Sequence, residues 1–274
     1  MQWIAEQIDS ILNQENVDVT IFISVDLSTD ATFEWCKKLE SNNSKVKVLL
    51  YGERFGGAGK NFYRLIRDVD FSGFDYVSLA DQDDIWLSNK LSHAITQIQQ
   101  KLLDAYSSDV IAFWEDGREE VIKKSQPQKE FDFIFEAAGP GCTYVLTVDS
   151  FLSFKAFLIS NSAADEFKLH DWLIYGFYRS QGLKWFIDSK PLMRYRQHAN
   201  NQVGFNKGLK AYKARTAQVR DKRFRREVEK LVGLFGHPED FSLKRNFLIL
   251  NFSKLRRRKR DAYVLLAFNL LGWF

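Results

Sequence analysis

The chain has 274 residues, enough for one large core or one core with a small appendage, and its 24 Phe, 10 Tyr and 7 Trp exclude a disordered chain. Two cysteines, Cys36 and Cys142, exclude a disulfide framework and a zinc cluster and fit a reducing compartment. A net charge of +4 hides an asymmetry, because residues 207–260 hold 18 Lys and Arg against 5 Asp and Glu, which points to an anionic partner.

The start, Gln2 to Gln7, carries neither the charged nor the apolar stretch of a secretory signal. Ile4, Ile8, Ile11 and Leu12 then fall on one helical face. Val19–Val25 is β-rich and reads as a strand. Ser28, Thr29 and Asp30 supply capping residues for a helix marked by Phe33, Cys36 and Leu39. Val46–Tyr51 is the next strand, followed by a turn with Gly52, Gly56, Gly57 and Gly59. Phe62, Leu65, Ile66 and Val69 have helical spacing, and Tyr76–Ala80 reads as a buried strand. Ser88 precedes a helix with Leu91, Ile95, Ile98 and Leu102 on one face. This alternation predicts an α/β fold with a mostly parallel, Rossmann-like sheet.

Beyond Leu103 the pattern loosens. Asp109–Trp114 reads as a strand, Glu115–Glu130 as a polar surface excursion, and Cys142–Thr147 as another strand. Helices are expected over about Asp149–Ile159 and from His170 to Ser180. A short strand, Lys184–Ile187, and a segment Met193–Gln197 follow. From about Lys207 the sequence reads as helical and basic, so the expected division is a domain over 1–206 and a helical basic appendage over 207–274. No run reaches the roughly 20 apolar residues of a spanning helix.

Three unusual sequences fall where strands end: Asp26–Asp30, the glycine turn, and Asp81-Gln82-Asp83-Asp84. In open α/β sheets that is where ligands bind. Carboxylates closing a buried strand are costly unless satisfied, and a hard cation such as Mg²⁺ or Mn²⁺, arriving with phosphates, satisfies them. A nucleotide-type ligand is therefore expected. Nucleic acid is not, because the aromatic residues are not interleaved with the basic run.

Six motifs stand in order: Ile8–Gln14, Asp26–Asp30, Gly59-Lys60-Asn61-Phe62, Ala80–Trp86 with Asn89-Lys90-Leu91, His170-Asp171-Trp172, and Tyr195-Arg196-Gln197-His198 with Asn200-Asn201. Together they resemble family 2 glycosyltransferases of the GT-A fold, in the rhamnosyltransferase-like branch of surface polysaccharide synthesis, over about residues 3 to 205. The resemblance implies a metal-dependent, inverting transfer of a sugar, rhamnose or a similar deoxyhexose. The donor would be a dTDP- or UDP-sugar and the acceptor a surface glycan, free or lipid-linked.

By that resemblance Asp26 binds the nucleotide base, although Val25 and Leu27 stand where the family has Asp and Gly. A turn or cap role is its alternative. Lys60 neighbours the nucleotide or is a solvated cation in a first helical turn. Asp81 approaches the ribose or sugar. Asp83 is the direct ligand of Mn²⁺ or Mg²⁺, and His198 completes that site or is a surface histidine. Asp171 is the catalytic base, its alternative a helix cap.

Family members also begin with a further strand ahead of the helix that here starts at Trp3, so a sheet short of one interior strand is expected. That departure motivates a rival reading, a degenerate transferase acting as a binding or scaffolding subunit. The basic cluster Lys254–Arg260 and the apolar residues after it predict a protein at the cytoplasmic face of a membrane, held peripherally by anionic lipid. A C-terminal helix packed on the domain is the alternative.

Overall fold

The computed structural model describes residues 3–198, 222–236, 238 and 240–274. Asn200, Asn201, the expected boundary near residue 206 and the basic stretch up to residue 221 lie outside them.

Helix α1 (Ile4–Leu12) buries Ile4, Ile8 and Ile11 along one face. Strands β1 (Ile21–Ile23) and β2 (Val46–Val48) pair in parallel, joined by α2 (Thr32–Asn42). Helix α3 (Ala58–Asp68) follows the glycine turn and buries Phe62, Tyr63 and Ile66. Strand β3 (Tyr76–Ser78), β4 (Ile85–Trp86) and α4 (Lys90–Lys101) come next.

The second half is mixed. Strands β5 (Ala105–Ser108), β6 (Val110–Phe113) and β7 (Glu119–Ile122) are followed by a short helix α5 (Asp132–Phe135). Then come β8 (Val145–Thr147), α6 (Val148–Ser160), α7 (His170–Ser180), β9 (Trp185–Asp188) and β10 (Met193–Arg196). One sheet runs β3-β8-β5-β9 and a second β4-β10-β6-β7. Strand β8 is antiparallel to both its neighbours, while β5 with β9 and β6 with β10 are parallel.

The α/β architecture is as the sequence predicts, with three strands unforeseen: the two-residue β4 beside the acidic turn, β5 and β7. β5 carries Ser107 and Ser108 fully buried, with Trp185 Nε1 donating to Ser107 Oγ at 2.9 Å, so polar side chains disguise an interior strand. β7 lies inside the charged stretch read as a loop, because its Glu119 and Val121 face solvent while Ile122 enters the core.

Strands β1 and β3 do not pair. Residues of both line one cleft of about 2350 Å³, with Ile8 and Ile11 of α1 and Phe62 and Ile66 of α3 also in its walls.

The C-terminal segment forms α8 (Arg223–Phe235), α9 (Arg245–Leu250), α10 (Phe252–Leu255) and α11 (Lys259–Leu270). Val228, Leu231, Leu248, Leu255 and Leu265 share one core with Phe135, Phe154 and Trp172 of the preceding domain. The basic cluster is only partly free. Arg257 is 5% exposed and its guanidinium meets Asp132 at 3.0 Å, while Asp132 also accepts from Arg179 and Tyr175 at 3.0 Å. Arg256, Arg257 and Arg258 donate to the carbonyls of Phe135, Ala137 and Lys123 of the preceding domain. Among the described residues no helix is long and apolar enough to cross a membrane.

Candidate active site

The acidic turn is held from two sides. Asp83 is 7% exposed, and its Oδ2 lies 2.6 Å from His198 Nε2, just beyond the end of β10. The His198 ring stacks on Trp3 with centroids 4.4 Å apart. The Asp83 carbonyl accepts from Arg196 Nε at 2.8 Å, and the Arg196 N–H donates to Asp84 Oδ1 at 3.1 Å. Arg196 also pairs with Glu6 of α1. β10 therefore fastens the turn and delivers His198 to Asp83, two residues 115 positions apart.

Asp84 is fully buried, and its Oδ2 has no hydrogen-bond partner among the described residues. Donor atoms of Asp81, Asp84 and Cys142 lie within 4.8 Å of one another. Burial, then the charges of Asp83 and Asp171, push the Asp81 carboxyl up to about 7. Burial likewise raises Asp84 well above the carboxylate range, with Asp81 and Asp83 adding to it. Crowded, desolvated carboxylates with an orphaned oxygen are what a divalent cation would relieve. The Asp83 carboxylate suits Mn²⁺ or Mg²⁺, and the His198 imidazole beside it is a ligand that Mn²⁺ accepts more readily than Mg²⁺. Cys142 does not, because burial holds its thiol protonated.

Beneath the turn lies a cation that sequence reasoning passed over. Lys90 is 1% exposed, with its Nζ 3.4 Å from the Trp86 ring centroid and 3.4 Å from Ser78 Oγ. Burial lowers its pKa to about 7, against the pull of Cys142 and Asp84. The only signal was its place in Asn89-Lys90-Leu91, where a lysine at the start of a helix reads as solvated.

Asp171 stands in the first turn of α7 and lines the same cleft as Asp81 and Asp83. Its Oδ1 accepts the Trp172 N–H at 2.8 Å, and its own carbonyl accepts from Tyr144 Oη at 3.2 Å. A Cβ on Gly141 would lie 2.6 Å from His170 Nε2 and 3.4 Å from the Asp171 Cβ, so the absence of a side chain at 141 seats this turn. His170 stacks on Phe62 at 4.1 Å and is held neutral by burial, in a packing role.

Asp26 also lines the cleft, and its carboxylate accepts from the Phe55 N–H at 2.7 Å and the Gly56 N–H at 3.1 Å. The left-handed backbone at Gly56, φ 75°, presents that N–H. Asp26 thus braces the glycine turn, the alternative foreseen for it, while facing the cleft. Lys60 is not brought to the carboxylates: it is exposed, its Nζ is 4.0 Å from Glu166, and it is absent from the cleft wall.

A family model described as Glycosyl transferase family 2 matches residues 2–157. The chain is 45% identical over 284 residues to dTDP-rhamnosyl transferase RfbG of Shigella flexneri, spanning 99% of this chain and 97% of that protein. Among solved structures it is similar to S. aureus TarS 1-349 in complex with UDP-GlcNAc, at 15% identity and a TM-score of 0.56, covering 99% of this chain and 77% of that one. It is also similar to the mannosyltransferase PcManGT from Pyrobaculum calidifontis in complex with GDP-Man and Mn²⁺, at 14% identity and a TM-score of 0.53, covering 99% and 76%. At these identities the two structures bear on the fold, which is GT-A.

Proposed function

The chain belongs to glycosyl transferase family 2, as a rhamnosyltransferase-like glycosyltransferase, and on that premise we propose a metal-dependent, inverting transfer of rhamnose or a related deoxyhexose. The donor is a nucleoside-diphosphate sugar, dTDP-linked by analogy with the Shigella relative, and the acceptor is a surface glycan. The observation that carries this reading is the convergence of Asp81, Asp83 and Asp171 on one cleft, with His198 on Asp83.

Asp171 accepts the proton of the acceptor hydroxyl as that oxygen forms its bond to the anomeric carbon. The bond from that carbon to the donor diphosphate breaks on the opposite face, and the nucleoside diphosphate leaves with the electron pair, so the configuration inverts. Asp83 and His198 would hold Mn²⁺ or Mg²⁺, whose charge neutralises the departing diphosphate. Asp81 approaches the donor sugar or ribose. Asp26 sits where the base would enter, and Lys60 contributes only long-range charge. We keep 1–206 as the transferase domain and 207–274 as the C-terminal segment, whose described residues from 222 on are mainly helical and share the domain's core.

The break between β1 and β3 favours one rival, a transferase that binds but no longer turns over. Titration calorimetry with dTDP and UDP, with and without Mn²⁺, followed by a donor screen for diphosphate release, separates the two. Metal-dependent dTDP binding with release of dTDP from one sugar donor supports the enzyme. Binding with no donor turned over supports the subunit.

A peripheral place on the cytoplasmic face of a membrane is proposed from the outward side of the C-terminal segment. Leu250, Tyr263, Leu270 and Leu271 are each more than half exposed beside Lys254 and Lys259. Vesicle flotation of the parent and a Leu270→Ser, Leu271→Ser variant tests it. Flotation with anionic vesicles that the variant loses supports the anchor, and full recovery in the soluble fraction rules it out.

A further inference from the structure

Past Asp171 the cleft is walled by cations. Lys124, just beyond β7, and Arg256, Arg257 and Arg258, between α10 and α11, line it together with Asp171. Two glycines bound the separation. A Cβ on Gly141 would lie 3.4 Å from the Asp171 Cβ, and a Cβ on Gly139 would lie 3.7 Å from that of Lys124. Two residues span at most about 7 Å, so Lys124 and Asp171 flank the same short Gly139-Pro140-Gly141 segment.

Among the described residues these four cations share three carboxylate partners, one of which also holds Arg179. Asp132 takes Arg257 at 3.0 Å. Glu136 stands 3.6 Å from both Arg256 and Arg257, and Asp261 is 3.9 Å from Arg256. Arg256 Nε and Arg257 Nε remain buried N–H groups with no hydrogen-bond partner among the described residues. Arg258 donates to the Lys123 carbonyl but meets no carboxylate among them, and the Lys124 ammonium has neither a hydrogen bond nor an ion pair there. Burial, then Arg258 and Arg257, lower the Lys124 pKa, as expected for a cation held against like charge.

We propose that Lys124, Arg256 and Arg258 form an anion subsite that binds a phosphate or diphosphate ester carried by the acceptor, in the same cleft as Asp171, which deprotonates the acceptor hydroxyl. The inference rests on the proposed function, since it takes Asp171 to mark the acceptor. Guanidinium forks and an ammonium on one wall of a cleft match the several oxygens of a phosphate better than the hydroxyls of a neutral glycan. The subsite gives the inward half of the basic cluster a use that differs from the outward half's.

Titration calorimetry on the full chain, saturated with dTDP and Mn²⁺ so that the donor pocket is filled, tests this. The probes are a short alkyl glucosyl diphosphate, the matched neutral alkyl glucoside and inorganic pyrophosphate. The diphosphate ester is expected to bind at least about tenfold more tightly than the glucoside, with pyrophosphate competing. A Lys124→Gln, Arg258→Gln double variant should lose that preference while binding dTDP as the parent does, which also reports that it folds. Equal binding of ester and glucoside, or a preference that survives in the variant, overturns the subsite. So does a variant whose only loss is flotation with phosphatidylglycerol vesicles, which would make the surface a lipid site. A chain that shows the preference but binds no dTDP would instead overturn the donor reading and support the subsite.

Discussion

Asp83 is the residue on which the metal reading turns. It is buried, it bears on His198, and it raises the pKa of Asp81. Asp83→Ala is expected to abolish transfer and Mn²⁺-dependent dTDP binding while the thermal transition is kept. Chelator should silence the parent, and added Mn²⁺ or Mg²⁺ should restore it; full activity in excess chelator contradicts the assignment. Asp132 illustrates the opposite kind of buried carboxylate, one that works for the fold. It is fully buried between Arg179, Arg257 and Tyr175, and Asp132→Ala strands two cations. Urea unfolding should register a loss of about 3–5 kcal/mol. Asp188 offers a pH test away from the site. Burial alone would raise its carboxyl, but bonds from His93, the Lys190 N–H and Tyr106 outweigh that and hold it below the usual range. A carboxyl with a depressed folded pKa stabilises above its unfolded value of about 3.9, and that stabilisation is lost as pH falls through the folded value. The stability gap between the parent and Asp188→Asn should therefore close as pH falls below about 4.

At the scale of elements, the site depends on close backbone approaches that only glycine permits. Gly59, in α3, lies so near the Lys168 carbonyl that any Cβ must displace it, and Gly141 does the same to His170. Gly141→Ala should shift the turn that carries Asp171, lowering kcat while dTDP affinity stays within about twofold, as expected when geometry at the reacting centre slips. Unchanged kcat would mean that the turn tolerates the shift. The regular amphipathic elements were legible in the sequence because their apolar spacing survives intact. α3 and α7 are examples, the latter observed over the expected His170–Ser180. β5 and β7 were not, since buried serines and exposed glutamates erase the alternation that marks a strand. The break between β1 and β3 leaves two strand edges facing a cleft.

Over the whole molecule, a C-terminal segment that looked like an appendage shares the main core and closes the far wall of the cleft. The sequence exposed the charge of Lys254–Arg260 but not its partition, because which arginines turn inward depends on Asp132 and Glu136, more than 100 residues away. The pairing of Asp83 with His198 was foreseen through the motifs' order, whereas Lys90 and the unpartnered Lys124 needed three-dimensional neighbours to stand out. What joins these parts is the claim that one cleft performs sugar transfer with Asp171 as base. The most direct measurement is the single-turnover rate of transfer from dTDP-rhamnose by Asp171→Asn beside the parent, with dTDP affinity measured on both. A fall of about 10²–10⁴ in rate with affinity preserved is the predicted result. An unchanged rate would reduce Asp171 to a helix-turn residue and contradict the account.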